Sequence, residues 1–154
     1  MLQKIIIGSA NFKNPYGRYA QKKTLNKNNV LKIINIANKF GIKEIDIIKK
    51  EPWMNPPLKK IRMLFTHQDQ VDKLPPHARL LGSADHCPHA IFAVGSHMLA
   101  LQSHPEYSRA YLRALIQSRE AIIDQPTFKA GLESLEIEPH RIEPAAWLRN
   151  FLTS

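Results

Sequence analysis

The sequence predicts an α/β fold, a partial sheet with flanking helices preceded by one βαβ unit. Short runs rich in β-branched and other apolar residues recur along the 154 residues, bounded by turn chemistry, and read as strands. Segments with apolar residues at three- and four-residue spacing read as helices. A third observation divides the chain. Residues 1–50 hold 10 Lys, 10 Ile and 7 Asn, whereas residues 51–154 hold 4 Lys and 2 Asn. All seven histidines and ten of the eleven prolines lie in the later part. Lys and Arg outnumber Asp and Glu 11 to 2 in the first segment and balance them 11 to 11 in the second, so the whole net charge of +9 sits at the start. A charge patch accounts for the lysines but not for the isoleucines and asparagines beside them. Lys, Asn and Ile have AT-rich codons; Ala, Arg and Pro have GC-rich ones. Two segments of different origin, joined near Lys49–Glu51, fit this pattern; a basic first lobe of one natural domain is the alternative.

In the first segment, "KIIIGSA" is a β-branched run and reads as a buried strand. "NFKNPYGRY" supplies turn residues. "NNVLKIINIANKFG" places Val30, Leu31, Ile33, Ile34, Ala37 and Phe40 at helical spacing, with Asn28 or Asn29 as N-cap and Gly41 as the stop. "IKEIDII" reads as a second strand. Strand, helix and strand in about 45 residues make one βαβ unit, expected to be right-handed and parallel.

In the second segment, "IRMLFTHQDQV" opens as a strand and ends in a polar loop, and "LPPHA" is a proline-fixed connection. "RLLGSAD", "AIFAV" and "HMLALQ" read as three short strands, the last two joined by a hairpin at Gly95 and Ser96. A helix is expected over roughly 108–124, burying Tyr111, Leu112, Leu115, Ile116, Ile122 and Ile123 and stopped by Pro126. "PAAWLRNFLTS" reads as a short amphipathic helix docked by Trp147, Leu148 and Phe151.

These features bound the function. An apolar content of 44% is ordinary for a folded domain. No apolar run reaches the 18 residues of a membrane span, and no signal peptide is evident. A lone cysteine excludes an internal disulfide framework and fits a cytoplasmic, reducing setting. The basic start invites a nucleic-acid reading, yet Lys22, Lys23, Lys27, Lys32 and Lys39 most simply solubilise a helix. Only Tyr16 and Tyr19 stand near them for stacking, and no RNA-binding motif is present. Neither a nucleic-acid nor a membrane partner is expected, nor any cofactor or metal.

Chemistry is concentrated in "LQSHPEYS". His104 and Glu106 lie two apart just past a strand end, so an extended chain would point both to one side. Pro105 fixes a backbone dihedral between them. A carboxylate so placed holds an imidazole's tautomer and steadies its charged form, the base-and-orienter half of a nucleophilic triad. The surrounding stretch, with H-x-D-x-V at His67, Asp69 and Val71, then "LPP", "SADHCPHA" and "HPE", closely resembles the C-terminal half of class I glutamine amidotransferases. Among these it is most similar to stand-alone proteins like the glutaminase domain of GMP synthase. The resemblance runs from about Glu51 to Ser154. It implies an enzyme in which a cysteine attacks the glutamine side-chain amide, a thioester forms, ammonia leaves and water releases glutamate. By that resemblance His104 is base and acid and Glu106 orients it. Thr66, His67, Gln68 and Asp69 line the glutamine pocket, or else His67 and Asp69 brace their loop. The partner that would accept the ammonia is not legible.

The first segment resembles the start of an aldo-keto reductase. "IIIGSANFKNPYG" matches that family's first strand and loop, and "GIKEIDII" its second strand, with Asp46 at the position of a catalytic aspartate. The loop that should carry a catalytic tyrosine reads "IKKEPWMNPP", and one unit cannot close a barrel, so Asp46 is read as structural or vestigial.

The amidotransferase nucleophile belongs in a G-x-C-x-G elbow upstream of the H-x-D-x-V motif. Here that region is the reductase-like segment, which has no cysteine. Cys87, in "DHCPHA", lacks flanking glycines, and Pro88 has no N–H for an oxyanion. It is read as structural; a metal site with His86 and His89 is cramped for zinc, and a nucleophile is the remaining option. His77, His97 and His140 are read as loop or surface residues. The expected protein is therefore a composite: an aldo-keto-reductase-like fragment over 1–50 and the C-terminal part of a glutamine amidotransferase domain over 51–154, inactive alone.

Overall fold

A computed structural model describes residues 5–8, 39–67 and 70–154. Among these residues six strands form one sheet: β1 (Ile5–Gly8), β2 (Lys39–Ile47), β3 (Lys60–His67), β4 (Ala78–Ala84), β5 (Cys87–Val94) and β6 (Met98–Leu101). Their spatial order is β1-β6-β5-β4-β2-β3. Among the described strands β1 against β6 is parallel and the other pairings are antiparallel. Three helices follow, α1 (Arg109–Gln117), α2 (Gln125–Ser134) and α3 (Ile142–Thr153). No described helix is long and apolar enough to cross a membrane.

The α/β class and the partial sheet stand as expected, and so do the strands read in the second segment. The hairpin between β5 and β6 turns at Gly95, whose φ of 58° suits glycine. The parallel βαβ unit does not. β1 and β2 lie at different places in the sheet and run in opposite directions. The helix expected between them lies outside the described residues except for Lys39 and Phe40, and these are strand. Pairing decides this: Phe40 faces Thr66 and Gly41 faces Phe65 in the β2–β3 ladder, so the segment gains a full antiparallel partner there. Gly41, expected as a helix stop, sits inside the strand at φ 106°.

Alternation along β2 and β3 divides the apolar residues between two cores. Ile45, Ile61, Met63 and Phe65 point into an inner core with Leu81, Cys87, Ile91, Leu99 and Leu101. Phe40, Ile42 and Leu64 point the other way, against Leu112, Ile116, Ile123 and Leu135. α3 closes the inner core with Trp147 and Phe151. Trp147 Nε1 donates to the Pro56 carbonyl at 2.8 Å, and Asn150 Nδ2 donates to those of Trp53 and Asn55. The docking role read for Trp147, Leu148 and Phe151 therefore holds.

The helix expected over 108–124 is shorter, and a second one follows where none was expected. α1 ends at Gln117 and a series of turns follows. Pro126 does not stop a helix; it sits in the first turn of α2, where a missing N–H loses nothing. Asp124 caps that helix by accepting from the Thr127 N–H at 2.9 Å. Ile123 stays buried, but Ile122 and Tyr111 are 68% and 51% exposed, because the turns rotate Ile122 off the stripe. β3, the edge strand, is not left bare. Arg62 N–H donates to His140 Nδ1 and Arg62 C=O accepts from His140 N–H, both at 2.9 Å. His140, read as a loop residue, thus caps an edge.

Candidate functional site

The segment after β6 reaches across to β3. His104 N–H donates to the Leu64 carbonyl at 2.8 Å, and Ser103 Oγ contacts Met63 Sδ at 3.3 Å. Since β3 and β6 are not neighbours in the sheet, these bonds require the sheet to curl, and the curl sets the His-Pro-Glu segment beside the end of β3. His104 and Glu106 are brought together, with Nδ1 2.8 Å from Oε1. A carboxylate oxygen accepts, so the Nδ1 proton points at Glu106, and in the neutral form of the ring Nε2 carries the lone pair. The His104 side chain is 10% exposed, whereas that of Glu106 is 60% exposed. The local backbone is a turn rather than the extended chain expected. Tyr107 N–H donates to the His104 carbonyl at 3.2 Å, with Pro105 at the second position, where its fixed φ favours the turn.

That turn brings in a residue the sequence reading missed. The Tyr107 ring stacks on the imidazole, centroids 4.3 Å apart and planes within 3°. Tyr111, on α1, meets Tyr107 edge-on at 4.6 Å. Burial pushes the Tyr107 phenol above its ordinary value, Tyr111 and Glu106 add to this, and Arg119 opposes it. A proline turn that sets an aromatic residue three positions after a histidine was the available signal.

The expected pocket residues do not all converge. Thr66 and His67 are adjacent in β3 and so face opposite sides. Thr66 Oγ1 accepts from Arg119 Nη1 at 3.3 Å, and the guanidinium lies 6.0 Å from the Phe40 ring centroid. His67 is buried, edge-on to Phe65 at 5.4 Å. Gln68 and Asp69 lie outside the described residues.

Cys87 is buried in the inner core, and burial pushes its thiol up to about 11. Its two histidine neighbours are used separately. His86 packs edge-on to Phe65 at 4.8 Å, and His89 Nδ1–H donates to the Val71 carbonyl at 2.8 Å. Among the described residues no three His, Cys, Asp or Glu side chains converge on a point that would hold a metal ion. Asp46 is exposed on β2 and pairs with Lys60 at 3.4 Å, as the ladder register dictates.

No family model matches the chain. It is 28% identical over 110 residues to gamma-glutamyl peptidase 2 of Arabidopsis thaliana, covering 70% of this chain and 44% of that protein. It is 32% identical over 95 residues to gamma-glutamyl peptidase 3 of the same plant, covering 60% and 38%. Among solved structures, a glutamine amidotransferase from Thermotoga maritima superposes with a TM-score of 0.55 at 19% identity, covering 77% of this chain and 50% of that one. Another from Methylobacillus flagellatus gives 0.50 at 13%, covering 73% and 52%. The fold is therefore that of part of a class I glutamine amidotransferase. The chain spans about half the length of the structures, and less than half of the curated relatives, that it matches.

Proposed function

We propose that residues 51–154 form the histidine-and-carboxylate half of a site that hydrolyses γ-glutamyl amides such as glutamine, and that this chain does not turn over by itself. The carrying observation is the 2.8 Å contact from His104 Nδ1 to Glu106 Oε1 on a largely buried ring. In this role Nε2 takes a proton from a cysteine thiol and returns it to the departing ammonia, while Glu106 holds the tautomer. Thr66 stands on the substrate side through the Arg119 contact, Gln68 and Asp69 are assigned to that side, and His67, buried on the opposite face of β3, braces the strand. The names of the relatives, peptidases and amidotransferases, share one chemistry, attack on a γ-glutamyl carbonyl. Cys87 is the only thiol and is buried and held protonated, so it does not serve as nucleophile. Glutamate release from glutamine by the purified chain tests this directly. Release above background that vanishes in His104→Ala would overturn the inactivity and support the role of His104.

The same burial of Cys87 favours a second reading, a non-catalytic remnant that acts, if at all, through protein contacts. A specific partner retained by both the wild-type chain and His104→Ala would support it. We also read the two segments as separate in origin, with 1–50 derived from an aldo-keto-reductase-like start. DNA sequence across codons 45–55 tests whether the two ever formed one working protein, since an assembly break or frameshift there would show that they did not. A single buried free thiol fits a reducing compartment, so cytoplasmic residence belongs to this proposal, with cell fractionation as its check.

A further inference from the structure

One hydrogen bond fixes one atom. With Nδ1 held by Glu106, the imidazole is still free to pivot about that contact and carry Nε2 through an arc. Glu106 is itself mostly solvent-exposed, so it cannot define the ring plane. The coplanar contact with Tyr107 does. We infer that Tyr107 is a positioning residue that fixes the plane of the His104 imidazole, an inference that rests on reading His104 as the base. Parallel stacking suits this task because both ring nitrogens lie in the imidazole plane. A ring laid on the face blocks neither, whereas an edge-on ring would offer no flat stop. Tyr107 is fixed in turn: its N–H closes the turn onto His104, and Tyr111 braces its ring from α1. The titratable and charged groups around the stack are Glu106 on the same turn, Tyr111 on α1, and Arg119 in the turns after α1. Space-filling alone would be met by leucine; plane-fixing needs an aromatic ring, and the phenol oxygen is dispensable.

Solution NMR of the whole chain with 15N-labelled histidine tests this without any need for turnover. In the wild type, His104 shows the Nδ1–H tautomer, a slowly exchanging Hδ1 signal, and carbon-bound ring protons shifted upfield by the stacked phenol. Tyr107→Leu loses the Hδ1 signal to exchange and loses the upfield shift; Tyr107→Phe keeps both. Unshifted ring protons in the wild type, or an unchanged Hδ1 in Tyr107→Leu, would overturn the inference. Should the leucine variant not fold, the wild-type ring-proton shift and its retention in Tyr107→Phe still decide. The base reading fails separately: if Glu106→Ala, which removes the acceptor, leaves the His104 tautomer unchanged, Glu106 is not the orienter, whatever the stack shows.

Discussion

Burial governs the chemistry of Cys87. Its thiol rises from 9.0 to about 11 because the thiolate would sit in an apolar core. The native state therefore favours the protonated form over the unfolded chain. The resulting stability is fully present below about pH 9 and is lost as pH climbs through 11. The loss amounts to about 2 kcal/mol, and urea midpoints measured from pH 8 to 11 should fall accordingly, with Cys87→Ala showing a shallower fall. Native protein at pH 8 should resist a thiol reagent that labels the unfolded chain fully. At this scale the histidine and its carboxylate were legible in the sequence because residues two apart can meet either in an extended chain or in a turn, so the pairing survives although the expected backbone did not. Tyr107 was not read, since an extended chain would send it to the other side of His104, and only the turn at Pro105 folds it onto the imidazole.

Among the strands, β2 depends on one missing Cβ. A Cβ at Gly41 would overlap Ser134 Oγ and lie 3.0 Å from the Gly131 carbonyl, at a φ that L-residues avoid. Ser134 Oγ meanwhile accepts from the Ile42 N–H and donates to Gly131 C=O, so α2 is stitched to β2 there. Gly41→Ala should cost about 3 kcal/mol, the sum of strain and overpacking, read as a lower urea midpoint. Asp124→Ala, which removes the cap of α2, should cost about 1 kcal/mol. Strands β3 to β6 were legible from their apolar runs. The 39–47 strand was not foreseen in full, because Phe40 completes a helical pattern as readily as a strand, and only the ladder with β3 decides. Likewise "DQPTF" reads as a helix end until Asp124 is seen to cap a new one.

Two cores share one sheet, and neither face is complete without it. Both tryptophans lie beside the inner core, while α1 and α2 cover the outer one. Unfolding followed by tryptophan fluorescence and by far-UV circular dichroism should give coincident curves; separated midpoints would mean that the faces melt independently. Phe65→Ala, in the inner core, should destabilise by about 3–5 kcal/mol and shift both curves together. The α/β class was legible because alternation and helical spacing are local. The strand order was not, since it depends on pairings between distant segments, and the longest of these has a temporal cost. Ile5 meets Met98 and Gly8 meets Leu101, so a ribosome adding about 5–20 residues per second leaves the first strand waiting for roughly 5–20 s before its mate emerges. During that interval "IIIG" is an unpaired, β-prone segment without the mate it has in the folded sheet.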